Sequence, residues 1–315
     1  MTPRRLRPIL TSLLATVLIA TACSSGRRPG PPASADADSI AELKQGAVQV
    51  SLLSSESPVK PGKTYFGFDL ITSKGGVITG ATPKVWLAKD ETSKPVGPFI
   101  ATWYPFTPAN EFNDTSPRSA LPGTYATVID VPSAGNWIVA VTAEADNKPA
   151  AGTAALKATD QPIPAEVGTK ALSIKTPVAK SEAEARQICT RNPPDPLHYI
   201  SLDKALSNGR PTVVAFATPL LCESMLCGPV VDETLKAFET VGKGKANFIH
   251  VEEFLPGPDL KPPPATLESA SPAFRGWGFQ TEPWVIVIDK RGIIRARFEG
   301  PVTAPQIEAA VQPLL

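Results

Sequence analysis

The side chains best suited to nucleophilic or redox chemistry in this 315-residue chain are few: four cysteines and two histidines. Cys222 and Cys227 stand close together, separated by four residues, whereas Cys23 and Cys189 stand alone. A cysteine attacks as its thiolate, so its surroundings decide its reactivity. No Lys, Arg or His falls between Thr218 and Glu233, and Glu223 adjoins Cys222. Activation must then come from a helix N-terminus, whose unpaired N–H groups favour negative charge. Soft metals want more sulfur or imidazole than this stretch carries, with only Met225 to spare, so no metal or other cofactor is expected. His198 and His250 are expected to be structural. Cys189, in the loop-like run 188–194, is open to three readings: a buried apolar filler, a resolving thiol or an intermolecular bridge.

The elements around the cysteine pair can be read from the apolar pattern. Residues 211–217 form a continuous apolar run of the kind found in strands buried on both faces. Residues 230–241 are helical, with Val231, Leu235 and Phe238 along one face and Asp232 and Glu233 on the other. A second strand covers 246–251, and a Pro-rich loop follows at 255–264. A short helix at 271–277 leads to a hairpin of 284–289 and 293–298, turning at 290–292, and a helix closes the chain at 305–314. The order is β-α-β, then α-β-β-α.

A strand running into Cys222, a Pro229 inside the following helix, and Pro283 immediately before an apolar strand together resemble the thioredoxin superfamily over about residues 199–315. The resemblance implies that Cys222 is the attacking thiol, that Cys227 resolves and pairs with it in a disulfide, and that Pro283 is a cis-proline organising an incoming extended peptide. The spacing departs from thioredoxin proper, which separates its cysteines by two residues. On one regular helix, cysteines five positions apart hold their Cα atoms roughly 8.6 Å apart, beyond the ~7 Å a disulfide tolerates. A bridge therefore needs a non-helical stretch: either 222–226 is a loop and the helix starts near Cys227, or oxidation unwinds a first turn. The bacterioferritin-comigratory peroxiredoxins share the four-residue spacing. Here, however, Leu220 and Leu221 both intervene between Pro219 and Cys222, which should carry the Thr218 hydroxyl away from the thiolate. The Arg such a peroxidase needs would be Arg295 or Arg297. An inert structural bridge is the other alternative.

The amino-terminal half reads as β throughout. Strands are expected at 48–52, 63–70, 84–88, 123–131 and 137–142, where β-branched and aromatic residues alternate between Gly, Pro, Asn and Asp turns. Short strands so spaced argue an antiparallel sandwich, and the ending at 123–137 resembles small immunoglobulin-like modules. Tyr65, Trp86, Tyr125 and Trp137 are expected to be core residues. This half carries no catalytic constellation, and its ligand is unassigned.

Residues 1–22 read as an address. Arg4, Arg5 and Arg7 precede an apolar run from Ile9 to Ala22 that is too short for a membrane span. The stretch Ile19-Ala20-Thr21-Ala22-Cys23 resembles the lipobox of bacterial lipoproteins, with Ala20 where Leu is usual, and implies that Cys23 is lipidated. The expected organisation is a lipoprotein signal peptide (1–22), a Ser/Pro/Gly-rich tether (23–39), an immunoglobulin-like β-sandwich (40–158), a Pro-punctuated linker (159–180) and an α/β thioredoxin-like domain (181–315). The expected protein is lipid-anchored at the extracytoplasmic face of the bacterial cell membrane and acts on extracytoplasmic thiol and disulfide proteins. A non-catalytic surface scaffold and a thiol peroxidase are the alternatives. A net charge of +1 argues against nucleic acid as a partner, and 42% hydrophobic residues exclude a chain disordered throughout.

Overall fold

The computed structural model describes residues 37–256, 266 and 268–315. The expected signal peptide, Cys23, nearly all of the expected tether and most of the 255–264 loop lie outside the described residues. No described helix is long and apolar enough to cross a membrane.

The first half, as described, contains one α-helical turn, α1 (Ile40–Leu43), a 3-10 turn (Ala109–Glu111) and nine strands: β1 (Val48–Gln49), β2 (Ser51–Ser54), β3 (Gly62–Ile71), β4 (Lys84–Ala88), β5 (Val96–Ile100), β6 (Thr102–Pro105), β7 (Gly123–Val131), β8 (Gly135–Ala145) and β9 (Lys148–Ala158). They form two sheets, ordered β1-β9-β8-β4-β5 and β2-β3-β7-β6. Val85, Leu87, Val139 and Val141 from the first sheet share a single apolar core with Phe66, Phe68, Leu70, Tyr125 and Ile129 from the second. The single strand expected at 48–52 is in fact two. The chain changes sheets at Val50, so that β1 runs parallel to β9 while β2 pairs antiparallel with β3. Trp86, Tyr125 and Trp137 are buried as expected, but Tyr65 leaves this core and packs edge-on to Phe298, ring centroids 4.9 Å apart.

The second half contains α2 (Glu182–Ala185), α3 (Leu202–Ala205), β10 (Thr212–Ala217), α4 (Cys227–Val241), β11 (Asn247–Glu252), α5 (Pro272–Trp277), β12 (Trp284–Ile288), β13 (Ile294–Glu299) and α6 (Ala304–Val311). The third sheet is ordered β11-β10-β12-β13, with β10 parallel to β11 and antiparallel to β12. Alternation along β10 splits its side chains between two cores. Val213 and Ala215 meet α4 and α6 on one face, and Val214 and Phe216 meet α3 and α5 on the other. Burial on both faces is why this strand reads as an unbroken apolar run. Residues 168–171, in the stretch expected as a linker, bond to the β13 side of the sheet: Gly168 and Ala171 N–H donate to the Ile294 and Gly292 carbonyls, each at 2.9 Å.

The two halves are packed together. The segment between β6 and β7 lies across α4, where its Asp114 and Pro117 crowd Gly228. This cover corrects the expected outer face of α4. Asp232 and Glu233 are buried: Asp232 pairs with Arg191 and Arg118 at 2.8 and 2.9 Å, and Glu233 accepts N–H bonds from Thr107 and Ala304. The Tyr65 hydroxyl adds a tie by donating to the Pro301 carbonyl at 2.8 Å.

Candidate functional site

β10 delivers the chain at Ala217 to a non-helical stretch containing Cys222, and α4 begins at Cys227. The first of the two alternatives for the four-residue spacing is therefore realised. Turn bonds from Leu221 N–H to the Thr218 carbonyl (3.0 Å) and from Met225 N–H to the Cys222 carbonyl (3.1 Å) shape the stretch, and Met225 takes a left-handed φ of 55°. The side chain preceding the helix, Leu226, cannot cap it. The sulfur of Cys222 fills that role: the Cys227 N–H donates to Cys222 Sγ at 3.2 Å, satisfying one of the first-turn donors that a helix leaves unpaired.

Both thiols are free and buried, Cys222 at 7% exposure and Cys227 at 0%. Their pKa values diverge. Hydrogen bonding from the Cys227 thiol, against the opposing cost of burial, lowers Cys222 below the usual thiol value, helped by Ser224 Oγ at 3.3 Å and the Cys227 N–H. Burial, reinforced by the Cys222 sulfur, pushes Cys227 well above it. The two thiols thus differ in acidity, Cys222 being the more readily ionised.

The Glu282–Pro283 peptide is cis. Phe216 pairs with Trp284 in the sheet, so Pro283 emerges at the end of the sheet where β10 gives way to the Cys222 stretch. Glu282 Oε1 accepts the Glu223 N–H at 3.3 Å, which sets the residue before Pro283 against the residue after Cys222. Glu253, whose N–H donates to the Ala217 carbonyl at 3.2 Å, completes an acidic rim. Burial raises the Glu253 and Glu282 carboxyls above the ordinary range, with Glu282 and the Cys222 sulfur adding to the effect on Glu253.

No protein-family model matches the chain, and no curated protein does. Solved structures match parts of it. A thioredoxin-family thiol:disulfide interchange protein from Chlorobium tepidum TLS is 20% identical over 46% of this chain and 99% of its own, with a TM-score of 0.28. A chain from a mutant complex of titin M10 with an obscurin-like 1 immunoglobulin domain is 12% identical over 36% of this chain and 100% of its own, with a TM-score of 0.17.

The geometry thus brings Cys222, Cys227 and the Glu282–Pro283 peptide to one end of the third sheet. It takes the peroxidase residues elsewhere. Arg295 pairs with Asp289 at 2.6 Å, Arg297 lies over the Trp284 ring at 4.8 Å, and Thr218 Oγ1 is not among the hydrogen-bond partners of the Cys222 sulfur. Cys189 is buried in a separate cluster with Asp195, His198 and His250. Three residues at the site were not anticipated: Ser224, Glu253 and Glu282. Glu282 could have been suspected from its place before Pro283, and Glu253 from its place just beyond the carboxyl end of a parallel strand, where open sheets gather their ligands. Ser224 had no such signal.

Proposed function

We propose that this chain is a lipid-anchored, extracytoplasmic thiol–disulfide oxidoreductase built from an immunoglobulin-like module and a thioredoxin-like domain. The observation that carries the chemistry is the split between a Cys222 thiol held at the start of α4 with a lowered pKa and a fully buried Cys227 with a raised one. The Cys222 thiolate attacks one sulfur of a partner disulfide, the partner's S–S bond breaks, and the released thiolate takes up a proton. Cys227 then loses its proton and attacks Cys222 Sγ. The mixed disulfide breaks, and two electrons have passed to the partner while Cys222 and Cys227 become a disulfide. The reverse sequence oxidises a dithiol. In this reading Pro283, cis to Glu282, organises an extended partner segment beside Cys222. The anchor rests on Arg4, Arg5, Arg7, the apolar run to Ala22 and Cys23.

The deciding experiment is insulin reduction with dithiothreitol. The wild type should be active, Cys222→Ser inactive, and Cys227→Ser should accumulate mixed disulfides. Stabilising the Cys222 thiolate stabilises the reduced form, so the couple should lie near or above about −270 mV, against below about −300 mV for an inert bridge. A pair that resists reductant until the chain unfolds would reject the exchange reading. The near-complete cover of Cys222 favours a second reading, a scaffold with a structural disulfide, and that outcome would establish it. Intact mass of the mature protein tests the anchor: an unmodified amino-terminal Cys23 would refute it.

A further inference from the structure

Four metal-ligating side chains that the exchange reaction does not use meet beside the edge strand β11. Cys189, Asp195 and His198 come from one irregular segment, and His250 from the middle of the strand; all four are buried, with one donor atom from each within 4.8 Å of the others. Asp195 Oδ2 is the hub, 3.2 Å from Cys189 Sγ, 2.7 Å from His250 Nδ1 and 3.5 Å from His198 Nε2, while Cys189 Sγ lies 3.9 Å from His250 Nδ1. Around a tetrahedral ion with bonds of about 2.0–2.3 Å, neighbouring donors stand roughly 3.3–3.6 Å apart. The observed separations bracket that value, so small side-chain shifts would admit an ion at the centre.

Two further observations point to a ligand. His198 Nε2 is buried, aimed at the hub, and makes no hydrogen bond, an uncommon condition for a ring nitrogen at 3% residue exposure. On His250, Nε2 lies 3.2 Å from the Ala217 carbonyl. A carbonyl only accepts, so Nε2 carries the proton. Nδ1 faces the cluster and donates to Asp195 Oδ2 at 2.7 Å; a bound ion would take the place of that proton, and the Nε2–carbonyl bond is the outer-sphere arrangement that ligating histidines show.

We infer that Cys189, Asp195, His198 and His250 form a closed, four-ligand site for a zinc-type divalent ion. One thiolate, one carboxylate and two neutral imidazoles suit zinc, and the two negative charges cancel those of the ion, as a buried charge requires. Four protein ligands leave no position for substrate, so the ion is structural. It fastens the 189–198 segment to β11, reinforcing the backbone bond from His250 N–H to the Leu197 carbonyl at 3.0 Å. Thr190, next to Cys189, in turn accepts the Leu220 N–H at 3.2 Å, two residues before Cys222.

The test uses the full chain carrying Cys222→Ser and Cys227→Ser, which removes the other thiols able to bind metal in the second half. Refolded with Zn2+ and gel-filtered, it should retain about one equivalent of zinc. Adding Cys189→Ala or His198→Gln should cut the metal retained to roughly a tenth or less, with far-ultraviolet circular dichroism reporting whether the fold persists. Co2+ in place of Zn2+ should give the thiolate-to-metal absorption of a tetrahedral site, absent after Cys189→Ala. X-ray absorption of the zinc-loaded chain provides a measurement that needs no ligand variant, and should show one sulfur at about 2.3 Å with nitrogen and oxygen at about 2.0 Å. Zinc well below one equivalent, zinc retained by either ligand variant, or a shell without sulfur would each overturn the site.

Discussion

Ser224 offers a direct test of how the Cys222 thiolate is stabilised. Its hydroxyl reaches Cys222 Sγ at 3.3 Å, and replacing it with alanine removes one donor while leaving the Cys227 N–H in place. Hydrogen bonds to charged groups contribute about 1.5–3 kcal/mol. This one is long and Ser224 is exposed, so roughly half the lower figure and up to it, about 0.7–1.5 kcal/mol, is the appropriate range. With a tenfold change per 1.4 kcal/mol, Ser224→Ala should slow alkylation of Cys222 by iodoacetamide about 3–12-fold at neutral pH. The assay is a pH–rate profile followed by intact mass. Its midpoint should move upward in the variant while the alkaline plateau, where the thiol is fully ionised, changes little. Cys189 and Cys227 do not interfere, because burial raises both thiols well above the usual value. An unmoved midpoint, or an equal loss of rate at every pH, would refute the idea that the hydroxyl stabilises the anion.

Three other outcomes follow from the packing. Burial raises Glu253, so the fold prefers its neutral form: that contribution is fully present below the unfolded value of 4.5 and is lost as pH rises through the higher folded value. Glu253→Gln should therefore flatten the decline of melting temperature on the alkaline side, and an unchanged slope would exclude Glu253 as its source. Tyr65→Phe strips the Pro301 carbonyl of its 2.8 Å donor and should cost about 1–3 kcal/mol, or roughly 2–12 °C in melting temperature by calorimetry. In Gly123→Ala the new Cβ would sit 2.3 Å from the Tyr104 carbonyl oxygen, so the β6–β7 pairing must part; soluble yield and melting temperature should both fall, and a wild-type value for each would contradict the packing.

What the sequence revealed follows the strength of local signals. β10 and β12 are dense in Val, Ile and Phe and bury both faces, so they could be read directly. β9 pairs with β8 along its whole length, yet its Ala, Gly and Lys carry no strand preference, and its structure comes from its partner. β5 contains Pro98 and lies at a sheet edge, where proline is tolerated, but its composition suggests a loop. At the site, Cys222, Cys227 and Pro283 were singled out through the resemblance to the thioredoxin superfamily that their types and order carry. The burial of Asp232 did not, because it depends on a segment about a hundred residues earlier in the chain. The cluster around Asp195 was hidden for the same reason: His250 reaches it only after β11 has been placed beside 189–198.

The parallel pairing of β1 with β9 bears on how the chain withstands tension. Val48 and Gln49 face Ala150 and Ala151, the Val50 N–H donates to the Ala151 carbonyl at 3.0 Å, and a second parallel bridge joins Val59 to Ala158. A pull on the chain before β1, resisted by the chain leaving β9, drags the two strands in opposite directions along their own axes. Their N–H···O bonds lie across that direction, so they are loaded in shear and must fail together, whereas a hairpin peeled from its open end surrenders its bonds one at a time. The change of sheet at Val50 therefore puts a mechanical clasp directly behind α1, whose Ile40 and Leu43 pack against Trp86, so that a force on the amino-terminal side of the chain meets it as soon as that turn gives way.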